Sequence, residues 1–529
     1  MFKTLRSTTA AFLLVTGPIS IVHASATHRE LPKPEKFTSA DTLDASTKPD
    51  TLTKNPASNI HYGLAAIATG TTNDQVPLWM RSNQYGNIPI RGASLGLVGR
   101  FAREYSPDTR KRLTDWGAAV ESRVNLGKDA EVILIEAYVK GRLGIFQLKA
   151  GRSRDMMGLV DSTLSSGSFS ISGNSLGVPK VELSIPEFWT VPFLWDVIAV
   201  KGNYAHGWLG EVGTRNGTTY GMTKTYFHQK SVYARFGRPN WKVKLLAGFN
   251  HQVFWGNEKQ INGPKYKLSS WETYKRVIFG ESYGGETNGL PRSKVGNHLG
   301  SIDQAIEVNA GKLNFLAYHQ FFFEVGGLYH LNNVKDGLFG LSIANKDFAS
   351  SESKIRWKKF LIEYIATKSQ GGEIDAKITP SGDEDYYNNY IYERGWSYKG
   401  ENIGNPLITS TAYARKELPA QPREYFVNNR LKAIQIGSEY AIAEWNFLLK
   451  LNYSFNYGTY GTSPWGHSLN NIRIPSKPPY FGEERQFSGY VMVNRGLKHN
   501  MDIALTLAVD QGTMLYNSSG LSLKISKTW

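Results

Sequence analysis

The chain has no cysteine among its 529 residues. Disulfides, thiolate zinc sites, a cysteine nucleophile and a lipoprotein anchor are therefore excluded, and an exported form must rely on packing and hydrogen bonds. Past the N-terminus no run of roughly 18 or more apolar residues occurs, so no segment reads as a membrane-spanning helix. Basic helices and dense Lys/Arg runs are missing too, despite a net charge of +16. Nucleic acid is thus not an expected partner. An anionic membrane surface, an acidic polysaccharide, or a dispersed basic surface without a specific partner all fit. The 11 histidines are scattered without HExxH-type spacing, and no nucleophile pattern stands out. No catalytic residue, metal or cofactor is expected, and the protein is not expected to be an enzyme.

What is plentiful suits β structure: 12% aromatic residues and 52 glycines, which favour pleated surfaces and supply turns and bends. The N-terminus has another character. Lys3 and Arg6, an apolar run from Ala10 to Val22 and the small residues Ala24 and Ala26 follow the order of a secretory signal peptide. We expect residues 1–24 to be the signal, cleaved after Ala24 or Ala26, and 27–58 to be a flexible polar periplasmic leader.

From His61 onward the dominant period is two. In EVILIEAYVKGR, Ile133, Ile135, Ala137 and Val139 share one face and Glu136, Tyr138, Lys140 and Arg142 the other. MDIALTLAVD and AEWNFLLKLNYSFNYG repeat the pattern. About eighteen strands follow from such runs and their turn signals. Their connections are sorted. Even-numbered ones are short, as at Gly311-Lys312; the long ones, 71–91, 154–178, 255–299, 371–429 and 458–484, are all odd. Short periplasmic turns and long extracellular loops are the signature of an outer-membrane barrel. The fold class predicted for 59–529 is all-β: a transmembrane antiparallel up-and-down β-barrel in the outer membrane of a Gram-negative bacterium. A sheet in hydrocarbon must close on itself. The last strand, GLSLKISKTW, should therefore pair with the first, its apolar face on lipid and its terminal aromatic serving the barrel-assembly machinery. Arg100, Glu121, Arg123, Glu136, Lys140 and Lys149 are expected to face the lumen.

Six stretches carry a family resemblance: PLWMRSNQYG (77–86), EAYVKGRLGIFQLKAGR (136–152), LSSGSFSISGNSLGVPKVELSIPEF (164–188), KGNYAHGWLG (201–210), HQKSVYARFG (228–237) and AGFNHQVFWG (247–256). In order and spacing they resemble the Wzi family of outer-membrane capsule assembly proteins across about residues 60 to 260. The resemblance implies an eighteen-stranded barrel acting as a surface lectin that anchors capsular or other surface polysaccharide. Enterobacterial members carry a helical bundle before the barrel; here 27–60 is short and polar, as in a shorter branch. The alternative function is a porin-like channel for sugars or small anions.

Sugars are gripped by aromatic faces and planar polar groups, and acidic sugars add a need for Arg or Lys. Candidate polysaccharide-binding residues are Trp79, Arg81, Asn83 and Tyr85 in the first long connection; Trp255, Lys259, Trp271, Tyr274 and Arg276 in 255–299; Arg394 and Trp396 in 371–429; and Trp465 and Arg473 in 458–484. Loop cores and interface belts are the competing use for such aromatics. SSGSFSISGNSLG (165–177) fits either a constriction inside the lumen or an external loop; it lacks the Gly-Lys-Ser/Thr ending of a phosphate loop. DEDYYNN (383–389) reads as a solvated acidic turn rather than a calcium site. His206, His228 and His251 lie in or near consecutive strands and can come close.

Overall fold

Residues with apolar and polar positions in strict alternation need one oily and one wet face, and the chain supplies both by rolling up its sheet. The computed structural model describes residues 59–106, 113–216, 219–285, 289–324 and 326–529; the expected signal peptide (1–24) and leader (27–58) lie outside the described residues. No helix in the described part is long and apolar enough to cross a membrane. Strands cross instead: β1 Ile60–Thr71, β2 Ser94–Arg103, β3 Thr114–Gly127, β4 Glu131–Leu143, β5 Phe146–Arg152, β6 Lys180–Thr190, β7 Ile198–Asn216, β8 Thr219–Phe236 and β9 Val243–Trp255. They continue as β10 Asn297–Ala310, β11 Leu313–Phe323, β12 Gly337–Asn345, β13 Ile355–Ala366, β14 Leu431–Ile442, β15 Trp445–Asn456, β16 Glu484–Leu497, β17 Met501–Gly512 and β18 Ser518–Thr528.

These strands form one 18-stranded sheet in which each pairs with its sequence neighbours. β1 also pairs antiparallel with β18, from Gly63 opposite Thr528 to Thr71 opposite Gly520. The seam is finished by Trp529, whose N–H donates to the Tyr62 carbonyl (3.0 Å) and whose carbonyl accepts from the Tyr62 N–H (3.2 Å). Closure leaves no edge, as a sheet in hydrocarbon requires. The protein is thus a closed antiparallel barrel of the outer-membrane type, as the alternation predicts.

The outward face is apolar: Leu64, Leu95, Leu97, Val120, Leu505, Leu507, Leu521 and Leu523 are all exposed. Tyr62, Phe101, Trp116, Trp357, Trp445 and Trp529 stand exposed near the short-turn end, where aromatic rings form the interfacial girdle of such barrels. Lys527, the one charge on the outward side of β18, sits with its ammonium 4.8 Å from the Trp529 ring centre.

β4 departs from expectation. Its pairing with β3 jumps from Glu121–Glu136 to Ser122–Leu134, so Ile135 is an extra residue. The bulge flips the alternation. Val132, Leu134 and Val139 are exposed outward, while Ile133 and Ile135 are buried. Assigning Ile133 and Ile135 to the outward face with Val139 was incorrect, because one inserted residue moves every side chain beyond it to the opposite face.

Candidate functional site

The lumen begins as a ladder of charge. Arg100 on β2 lies 3.4 Å from Glu121 on β3 and 3.8 Å from Glu136 on β4. Lys140 pairs with Glu104 (2.7 Å) and Lys149 with Glu182 (3.4 Å). Arg123 has a different duty: its guanidinium donates to Asn125 (2.5 Å) and to Asn87 (3.1 Å), tying the 72–93 connection to the wall. Each of these six charges has a polar partner on a neighbouring strand or connection; against lipid, an Arg or Lys at mid-depth would cost about 2–4 kcal/mol.

Above the ladder the lumen is filled. The 153–179 connection turns inward, and residues 164–175 are buried throughout. Carboxylates on the wall hold it through its backbone and hydroxyls. Glu363 on β13 accepts from Ser165 Oγ (2.7 Å) and Ser166 N (2.8 Å). Asp303 on β10 accepts from Leu159 N (2.7 Å), and Gln320 on β11 from Phe169 N (3.2 Å). Asp161, within the plug, reaches out to Ser342 on β12 (2.8 Å) and Lys359 on β13 (3.0 Å). Phe169 stacks on Phe322 with ring centres 4.1 Å apart. The serines therefore serve as fasteners inside a constriction, one of the two arrangements the sequence allows for this run.

Two further loops lock onto this plug. Asn83, in the first connection beside the short helix α1 (Leu78–Arg81), donates to the Ser166 carbonyl (3.1 Å), and Tyr85 N donates to the Gly173 carbonyl (2.8 Å). Gly173 has φ +81°, and a Cβ there would lie 2.9 Å from the Tyr85 ring, so only glycine lets the two segments meet. From 367–430, Trp396 Nε1 donates to the Ser170 carbonyl (2.9 Å), Ser172 Oγ donates to the Gly404 carbonyl (2.6 Å), and the Tyr387 hydroxyl donates to the Phe169 carbonyl. Buried apolar residues of all three loops and of the wall make one continuous core.

This interlock redistributes the candidate binding residues. Trp79 and Arg81 are buried, with Arg81 stacked 3.5 Å from the Tyr413 ring centre. Asn83 is bonded as above, and Tyr85 lies under Arg154 at 5.2 Å. Trp396 is wholly buried against Phe254 (4.3 Å). Trp255 stacks on Tyr274 (5.0 Å). Arg276 donates to the Ser282 carbonyl (2.6 Å), and Arg473 ties two loops by donating to the Gly372 carbonyl (2.7 Å). Lys259, Trp271, Arg394 and Trp465 remain exposed. Among the loop residues closing the barrel, Tyr390, Tyr480, Lys377, Lys399, Lys416, Arg423 and Lys477 are exposed as well. Tyr480 and the scattered lysines carry no local motif, so nothing in the sequence singles them out.

DEDYYNN is not a solvated turn. Asp383, Glu384, Tyr386, Tyr387 and Asn388 are buried. Asp383 Oδ2 lies 3.0 Å from His467 Nδ1, and Glu424 Oε1 lies 3.7 Å from its Nε2. Burial works against a charged imidazole, but the ring N–H groups facing the accepting carboxylates of Asp383 and Glu424 outweigh it and hold His467 up at about 10. Asp385 beside them is pushed up to about 7, by burial first and by the Glu424 charge second. The protonated ring thus clamps the 467–469 strand to the 367–430 loop. Among the described residues no group of His, Asp or Glu could hold a metal ion.

No protein-family model matches the chain, and no curated protein sequence does either. Solved structures of similar shape include Pseudomonas aeruginosa OccK5 (OpdH), with a TM-score of 0.44 at 9% identity over 89% of this chain and 97% of that one. Acinetobacter baumannii OccAB2 gives 0.43 at 10% identity over 89% and 98%, and OccAB4 of the same organism 0.42 at 8% over 90% and 100%. The fold assignment itself rests on the strand pairing described above.

Proposed function

We propose that this barrel binds surface polysaccharide at the cell exterior and anchors it, in the manner of the Wzi family, rather than conducting solutes. The observation that carries this reading is the filled lumen beneath an exposed cap of aromatic and basic side chains. A plug pinned by Glu363, Asp303 and Gln320 leaves the interior engaged with its own chain. The cap offers Tyr390, Trp465 and Tyr480 for stacking on sugar rings, with Arg394, Lys399, Arg423 and Lys477 for their acid groups. The motifs behind the resemblance support it further: PLWMRSNQYG and LSSGSFSISGNSLG are partners in one interlock, through Asn83–Ser166 and Tyr85–Gly173.

A second reading, a porin-like channel for sugars or small anions, draws on size: barrels of about 16 to 18 strands commonly leave an aqueous channel. One experiment separates the two. The anchoring reading expects immobilised full-length protein to retain an acidic capsular polysaccharide, with retention falling as salt screens the basic cap, and expects planar bilayers containing the protein to stay quiet. Steady conductance without polysaccharide retention reverses the conclusion.

A further inference from the structure

Unlike the plug, residues 256–285 and 289–296 fold against the outside of the wall. Direction is fixed by the alternation. Asn203 on β7 and Gln229 on β8 point inward, to Glu182 (3.0 Å) and Lys180 (3.0 Å). Tyr204, His206, His228 and Lys230, at the opposite parity, therefore point out. By the same rule His251 and Trp255 on β9 point out, because Asn250 bonds inward to Tyr233; His298 on β10 does so because Asp303 faces the plug. Imidazoles and an ammonium on the outer wall would be costly against lipid.

They do not meet lipid. Helix α2 (Ser270–Phe279) covers them, started by a capping box of Ser269 and Glu272. Tyr274 hydroxyl lies 2.8 Å from that of Tyr204, and the Lys230 ammonium donates to the Ile278 carbonyl. His298 bonds the Val295 carbonyl (2.8 Å) and, through its other nitrogen, His251 (2.8 Å). Thr273 and Val277, four residues apart, form the buried stripe of the helix. The opposite stripe is Trp271, Lys275 and Phe279, again at spacing four. Trp271 is 64% and Phe279 72% exposed, although both are large and apolar.

With its inner face on the wall, the helix turns this stripe toward the bilayer. Tyr274 stacks on Trp255, the last residue of β9 at the long-loop end, so the helix starts near the outer headgroups, and its last turn reaches down the wall to Lys230. Aromatic rings belong at that level, and a lysine between two of them can extend to an anion. Lys265 and Lys267 are exposed just before the helix, while the outer wall continues beside it through exposed Met222 and Val232. We propose that α2 is a lipid-contact element that grips an anionic phosphate headgroup of the outer leaflet: Trp271 and Phe279 enter the interface, and Lys275, with Lys265 and Lys267, meets the phosphate. This rests on the barrel's seat in the membrane and is independent of the polysaccharide reading.

Because the chain has no cysteine, single thiols report cleanly. Full-length Trp271→Cys and Phe279→Cys, labelled with bimane and reconstituted in phosphatidylcholine vesicles, should be quenched by a nitroxide at the lipid headgroup and shielded from aqueous iodide. Trp465→Cys on the cap should behave oppositely. Retention of phosphatidic acid through purification should fall about fivefold or more in Lys275→Gln and further in Lys265→Glu/Lys267→Glu/Lys275→Glu, with phosphatidylcholine retention unchanged. The single variant keeps the test valid if the triple one fails to assemble. Iodide-accessible labels at 271 and 279 overturn the proposal. So does shielding that comes with a doubled particle mass, which assigns the stripe to a second copy, or an equal loss of both lipids.

Discussion

Glu363 shows how single side chains fasten the lumen. Its carboxylate takes donors from Ser165 and Ser166 on the plug and from the Tyr318 hydroxyl on β11 (2.5 Å). Removing the acceptor strands buried donors at about 1–3 kcal/mol each. Glu363→Ala should therefore loosen 163–172, read as faster amide exchange there, and, on the anchoring reading, bring current fluctuations to bilayers that the parent protein is expected to leave quiet. His467 sets a second test. An imidazole raised to about 10 in the fold contributes its full stabilisation below the ordinary histidine value near 6.5 and loses it as pH climbs through about 10. Exchange protection of 467–469 should hold at neutral pH and fall on that alkaline limb. His467→Gln, which keeps a donor but no charge, should remove the alkaline step.

At the scale of elements, β4 is the instructive strand. Leu134→Arg should cost about 2–4 kcal/mol near mid-depth, measured by denaturant unfolding in vesicles. A thiol placed at Ile133 should be silent to lipid-borne quenchers, whereas one at Val132 should respond. The same strand shows what was legible in the sequence. Where polar and apolar residues alternate, as in Leu505-Thr506-Leu507, the outward face can be read directly, and β11 starts at Leu313, straight after the Gly311-Lys312 turn that the sequence marks. Val132-Ile133-Leu134-Ile135 is apolar at both parities, so it offers no signal for a bulge. The loops hide more. Trp396 and Trp465 are the same residue type in similar polar surroundings, yet one is buried and the other exposed. Their difference is set by Phe254 and Ser170, partners more than a hundred residues away in sequence. Residue type announced loop aromatics, but only the folded chain shows which are free to meet a ligand.

For the whole molecule, the wall and the filling are separable in principle. The wall is held by an uninterrupted ring of strand pairing, whereas the plug adds side-chain and backbone bonds across it. Replacing 163–175 by a short Gly/Ser link should leave a folded, heat-modifiable barrel while raising bilayer conductance from near nothing to a steady level.

The plug's place in the chain has one further consequence. It leaves the wall after Arg152 and rejoins it at Lys180, and the staves it touches most, β10 to β14, come later. A cork spliced at both ends into its own bottle cannot be drawn, so any passage that opens must come from reshaping in place. During biogenesis, moreover, the later staves have to be raised around contents already present.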